Sequence, residues 1–141
     1  MSGATQPGSA DPRRGGGTAA LTLAGLCAAT GAEAVWCPDP AAPVAGVVAA
    51  DLMSDVLVDA GPGFVLITGL VNLQVIRTAA IADLAAVVFA RGKVVPPDVV
   101  ALARQMGVPV FASQESLFGA AGRLYAALGL GPAGPGQRRH A

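Results

Sequence analysis

The residues best suited to chemistry in this chain follow its apolar runs. Phe64 to Thr68 is one such run, and it leads into Thr68-Gly69 with Asn72 just beyond. A strand that ends in Thr-Gly and enters a helix start exposes unpaired backbone amides, which attract anions. A tight turn with Asn72 as helix N-cap accounts for the same residues. Arg77 lies about a turn further in, either turned back toward an anion or laid along the helix with its stem packed. Arg91 and Lys93 follow the next apolar run. With Thr68, Gly69 and Asn72 they would make a small cationic crevice for a phosphate or carboxylate; a solvated charged rim is the plainer alternative. Ser113 and Gln114 end the last such run, and Ser113 is suited either to the same rim or to capping the helix that follows.

A second group is acidic. Asp51, Asp55 and Asp59 recur at i, i+4 and i+8, with Ser54 in the same turn. On one helix they form a stripe. Two such carboxylates could share a magnesium ion, or Asp51 could simply cap a helix whose outer face is solvated. Other chemistries lack their residues. A P-loop needs G-x-x-x-x-G-K-[ST] so that amides and a lysine surround the phosphates; Gly92-Lys93 has neither the upstream glycine nor the following hydroxyl. The dinucleotide pattern G-x-G-x-x-G is absent, and Gly61-Pro62-Gly63 precedes an apolar run when it should follow one. Cys27 and Cys37 form no C-x-x-C pair, and the single histidine is His140, so no zinc ligand set is present. No catalytic constellation, metal site or cofactor site is expected.

Nine basic residues balance nine acidic ones, which argues against the basic stripe of a nucleic-acid binder. Four of the arginines, Arg13, Arg14, Arg138 and Arg139, stand near the chain ends, so the middle is mildly acidic. No apolar run approaches the roughly 18 residues of a membrane helix. Arg13-Arg14 ahead of Ala19 to Ala29 has the outline of a secretory leader. Gly15-Gly16-Gly17 after the arginines, and Leu26 directly before Cys27, fit that outline poorly, and the reading is cytoplasmic.

The elements that would position these residues lie between Ala19 and Leu130. Residues 1–18 and 131–141 are rich in Gly, Pro, Ser and Arg, and are expected to be disordered tails. Leu21-Thr22-Leu23 is a short strand or the lead-in to a helix reaching Thr30, where Gly31 suits a helix stop. Ala34 to Cys37, Val44 to Ala50, Phe64 to Thr68, Ala85 to Ala90 and Val108 to Ala112 have strand length and character. Helices are expected over Leu52 to Ala60, Leu73 to Leu84, Pro96-Pro97 to Met106, and Glu115 to Leu128. The last carries Leu117, Phe118, Ala121, Leu124, Tyr125 and Leu128 on one stripe. Its Gly119 and Gly122 make a smooth patch, inviting close approach by another element or a second copy; Tyr125 stands nearby, and Arg123 is placed to pair with Glu115 or Asp83. Apolar strands alternating with amphipathic helices predict an α/β fold: one compact three-layer domain, with a mainly parallel sheet flanked by helices.

These segments together resemble the DRTGG domain family. The resemblance rests on Asp51-Leu52-Met53-Ser54-Asp55-Val56-Leu57; on Ile67-Thr68-Gly69 with Asn72, Gln74, Val75, Arg77 and Ala79; on the Ala86-to-Lys93 strand and loop; on Gly107-Val108-Pro109-Val110; and on Phe118-Gly119-Ala120-Ala121-Gly122-Arg123-Leu124-Tyr125. It covers roughly Leu21 to Leu130 and is nearest to stand-alone members that look like the N-terminal domain of HPr kinase. The chain lacks a literal Asp-Arg-Thr-Gly-Gly; Arg77-Thr78 and Arg91-Gly92 stand near where its halves would fall. The resemblance implies a compact regulatory or dimerising α/β domain that is not itself a kinase.

The expected function is therefore a non-enzymatic regulatory and dimerisation module. It would sense a small anionic metabolite or nucleotide at the strand ends through Thr68, Gly69, Asn72, Arg77, Arg91 and Lys93, with Asp51, Ser54, Asp55 and Ser113 as secondary candidates. Gly119, Gly122, Arg123 and Tyr125 would form the homodimer face. The alternatives are an interaction subunit serving a partner enzyme or signalling protein, and a magnesium-dependent enzyme using the aspartates.

Overall fold

The computed structural model describes residues 20–130. The expected tails, residues 1–18 and 131–141, lie outside that range. Within it the chain forms α1 (Leu23–Thr30), β1 (Glu33–Trp36), β2 (Gly46–Ala49), α2 (Met53–Asp59), β3 (Phe64–Thr68), α3 (Leu73–Ile81), β4 (Ala86–Phe89), α4 (Pro97–Met106), β5 (Val110–Ala112) and α5 (Leu117–Ala127). The sheet order is β1-β5-β4-β3-β2. Neighbours from β2 to β5 are parallel, and β1 runs antiparallel to β5.

That order explains the layers. β2, β3, β4 and β5 are added one after another in the same direction, so α2, α3 and α4 are three crossovers of the same kind. Right-handed crossovers that all step one way place every helix on one face. Met53, Val56, Val75, Ile76, Ala79, Val99 and Ala103 accordingly pack on Leu66, Val87, Phe89 and Val110. The opposite face presents Val65, Ile67, Ala86, Val88 and Phe111, and it must be covered by elements outside the crossovers. Leu23 and Leu26 of α1, with Ala120 and Leu124 of α5, cover it. Strand side chains alternate between faces, and burying both makes β3 and β4 almost continuously apolar.

Local chemistry sets most boundaries. Gly31 and Gly107 end α1 and α4 in the left-handed conformation, at φ 70° and 74°, which a residue without Cβ adopts freely. Leu21-Thr22 leads into α1: Thr22 makes an isolated bridge to Pro43, and its hydroxyl caps α1 by accepting from the Gly25 N–H at 3.2 Å. Asn72 caps α3 by accepting from the Val75 N–H at 3.1 Å. Gly46 lies beneath the Phe64 ring, where a Cβ would come within 2.6 Å of it.

Several expectations need correction. The helix expected over Leu73 to Leu84 ends at Ile81; the chain then turns through Asp83 at φ 56°, and Leu84 is buried beyond the helix end. Ser116, and not Ser113, caps α5, its hydroxyl accepting from the Gly119 N–H at 3.0 Å. Phe118 shares the expected apolar stripe of α5 with Leu124, but it is 88% exposed, while Ala120 and Leu124 face the sheet.

Candidate functional site

β2 and β3 pair with Gly46 opposite Phe64 and Ala49 opposite Ile67. Continuing that register by two residues brings Asp51 level with Gly69. Asp51 Oδ1 accepts hydrogen bonds from the Gly69 N–H at 2.8 Å and from the Thr68 hydroxyl at 3.0 Å. The Thr68 hydroxyl oxygen in turn accepts from the Leu70 N–H at 3.1 Å. From the far side, Lys93 Nζ donates to the Gly69 carbonyl. Three loops, leaving β2, β3 and β4, are thereby joined at one residue, Gly69, through its N–H and its carbonyl, and Thr68 beneath them is fully buried.

Asp51 therefore does something other than expected. It does not cap α2: the N-cap position is Leu52, which makes no side-chain cap bond. Nor does Asp51 continue a stripe with Asp55 and Asp59, because it precedes the helix and turns toward β3. Ser54 and Asp55 are exposed on α2. Among the described residues, no three His, Cys, Asp or Glu side chains gather as a metal site. The Thr68-Gly69 amide does hold an anion, as its sequence suggests, but that anion is the chain's own carboxylate.

The Gly69 N–H bond is the main reason that Asp51 titrates below the ordinary carboxylate range; partial desolvation opposes it, and the Thr68 hydroxyl and the charges of Arg91 and Lys93 lower it further. A carboxylate with a depressed folded-state pKa adds stability above its unfolded pKa, and that stability is lost as pH falls through the folded value. Wild-type protein is thus expected to lose stability as pH drops below about 4 by more than Asp51→Asn does, measured by urea unfolding across pH 2–5. Equal slopes for the two proteins would dismiss this carboxylate as the cause.

The loop after β4 supplies the cations. Arg91 and Gly92 both have positive φ, 69° and 66°. Their amides donate to Glu115 O at 2.7 Å and Ser113 O at 2.8 Å. A Cβ on Gly92 would collide with the Gln114 side chain. The Arg91 side chain is exposed, close enough to act on Asp51 without forming an ion pair with it. Asn72 is engaged as a cap, and Arg77 stands exposed a turn into α3. Ser113 is buried away from the rim; its hydroxyl donates to Thr30 O at 3.3 Å and accepts from the Glu115 N–H at 3.1 Å, tying α1 to the end of β5.

The proposed dimer residues lie on α5. Nothing stands within 4 Å of a Cβ built on Gly122, and the neighbours at Gly119 are the side chains of Glu115 and Ser116. The two glycines therefore serve no close approach within the described chain. Arg123 pairs with Glu115 at 3.3 Å, not with Asp83; the arginine is exposed and the glutamate half-buried. Cys27 and Cys37 are free thiols, each pushed up from its ordinary pKa chiefly by burial.

The class defined by this fold and site is a small three-layer α/β domain with a polar cluster at the carboxyl ends of its parallel strands, where ligands of open α/β sheets bind. No family model and no curated protein matches the chain. Among solved structures it is similar to the crystal structure of the CBS and DRTGG domains of the regulatory region of Clostridium perfringens pyrophosphatase, complexed with its activator, diadenosine tetraphosphate. The TM-score is 0.63 at 16% identity, over 76% of this chain and 47% of that one. The chain thus spans about half of that regulatory region. This likeness of fold agrees with the resemblance to the DRTGG domain family carried by the sequence. No helix among the described residues is long and apolar enough to cross a membrane.

Proposed function

We propose that this domain is a non-enzymatic regulatory module of the cytoplasm that reads a small anionic metabolite or nucleotide at the strand-end cluster. The observation carrying this reading is the junction of three loops at Gly69 by Asp51, Thr68 and Lys93, with Arg91 exposed beside it. A ligand there touches the loops leaving three strands at once, so binding would be felt across the sheet. Arg91 and Lys93 supply the charge, Thr68, Gly69 and Asn72 shape the turn, and Arg77, exposed a turn into α3, is a further candidate cation. Asp51 leaves the pair of Arg91 and Lys93 with one net positive charge, suited to a small anion. The activator bound to the pyrophosphatase region makes nucleotides the first class to test. The outward face of α5, with Gly119, Gly122, Arg123 and Tyr125, is the surface proposed for homodimer contact.

A thermal-shift screen of nucleotides and phosphorylated metabolites tests the reading. Ligand at a hundred times its dissociation constant adds about 2.7 kcal/mol, several degrees for a domain of this size. A flat screen from folded protein would favour a second reading, an interaction subunit for a partner enzyme or signalling protein. One observation favours that alternative: Leu52, Val94 and Phe118, in the segments that follow β2, β4 and β5, are 61%, 85% and 88% exposed.

A further inference from the structure

Arg91 occupies a backbone conformation that L-residues avoid, because at φ 69° its Cβ crowds the carbonyl that follows. Glycine or asparagine would hold this position more cheaply. The conformation is imposed from both sides: the Ala90 N–H donates to Thr68 O at 2.9 Å, the Arg91 N–H to Glu115 O, and the Gly92 N–H to Ser113 O. What is unexplained is the choice of arginine. Its side chain is exposed, and it makes no hydrogen bond or ion pair with any described residue. Asp83, at φ 56°, is the other described non-glycine residue with positive φ, but a short polar side chain tolerates that region.

Backbone hydrogen bonds hold the strained turn, but they would hold a glycine equally well, and strained residues cluster at ligand-binding sites. We infer that Arg91 is the specificity-determining cation of the strand-end site, held left-handed so that its guanidinium stands ready to take a carboxylate or phosphate group through two parallel N–H bonds. Lys93, tied to the Gly69 carbonyl, adds charge without a fork. This inference rests on the reading of the strand ends as an anion site.

The test uses the full chain with inorganic pyrophosphate as probe, combining calorimetric titration with thermal melting of wild type, Arg91→Gly, Arg91→Lys and Asp83→Gly. Arg91→Gly is expected to melt roughly 2–4 °C higher, because strain is relieved, while binding pyrophosphate at least about tenfold more weakly. Arg91→Lys should fall between it and wild type. Asp83→Gly relieves a left-handed residue elsewhere and should bind as wild type does. Wild-type affinity in Arg91→Gly, or a lower melting temperature, overturns the inference while leaving the anion site standing. A flat titration of wild type overturns the anion site itself.

Discussion

Replacing Phe89 by alanine is expected to remove about 3–5 kcal/mol of stability, whereas Phe118→Ala should change it by no more than about 0.5 kcal/mol. Phe89 is fully buried at the end of β4, against the layer formed by α2, α3 and α4. Its loss leaves a void that β4, paired on both sides, cannot close by moving. Phe118 has its ring in solvent, so truncation removes little packing. Single domains are typically stable by about 5–15 kcal/mol, so Phe89→Ala approaches the margin. Urea midpoints of the two variants check the pair. Similar losses for both would mean that Phe118 is covered in solution, and a loss at Phe118 that depends on protein concentration would point to a second copy.

Reversing one charge at the strand ends should have the largest effect on binding. Lys93→Glu is expected to weaken an anionic ligand about a hundredfold, because a charge-assisted hydrogen bond is worth about 1.5–3 kcal/mol and repulsion takes its place. Asp51→Asn should act in the other direction. The asparagine carbonyl still accepts from Gly69 N–H and the Thr68 hydroxyl, so the turn survives while a like charge beside the ligand disappears. A tightening of about three- to tenfold is expected at low salt, shrinking as salt screens the site. Titration of both variants with the best ligand from the thermal screen decides the matter. Unchanged affinity in both would place the ligand elsewhere.

Much of the architecture was legible before folding. Continuous apolar runs, Gly31 and Gly107 as stops, Pro97 in a first turn and Asn72 as a cap all act within a few residues of themselves. Their elements therefore appear in the expected order, several of them shorter than the apolar runs that carry them. Phe64–Thr68 and Pro97–Met106 form over the residues expected. Sequence and structure part where a residue type suits two places. Phe118 satisfies the helical spacing of an apolar stripe, yet α5 turns Ala120 and Leu124 to the sheet. Ser113 and Ser116 both suit a cap, and only the path of the chain leaving β5 decides between them.

The candidate site divides in the same way. Residue types and local order determined that Thr68-Gly69 would expose an amide suited to an anion, and that Arg91 and Lys93 would follow the neighbouring strand. Tertiary structure alone decided that Asp51 fills that amide. The choice depends on β2 pairing with β3 in a register that sets residue 51 opposite residue 69. Local propensity carries no information about that offset, because the β2 and β3 segments are both almost wholly apolar and offer no alternating polar pattern to fix it. Packing against layers contributed by distant parts of the chain selects the register, and with it the partner of every polar group at the strand ends.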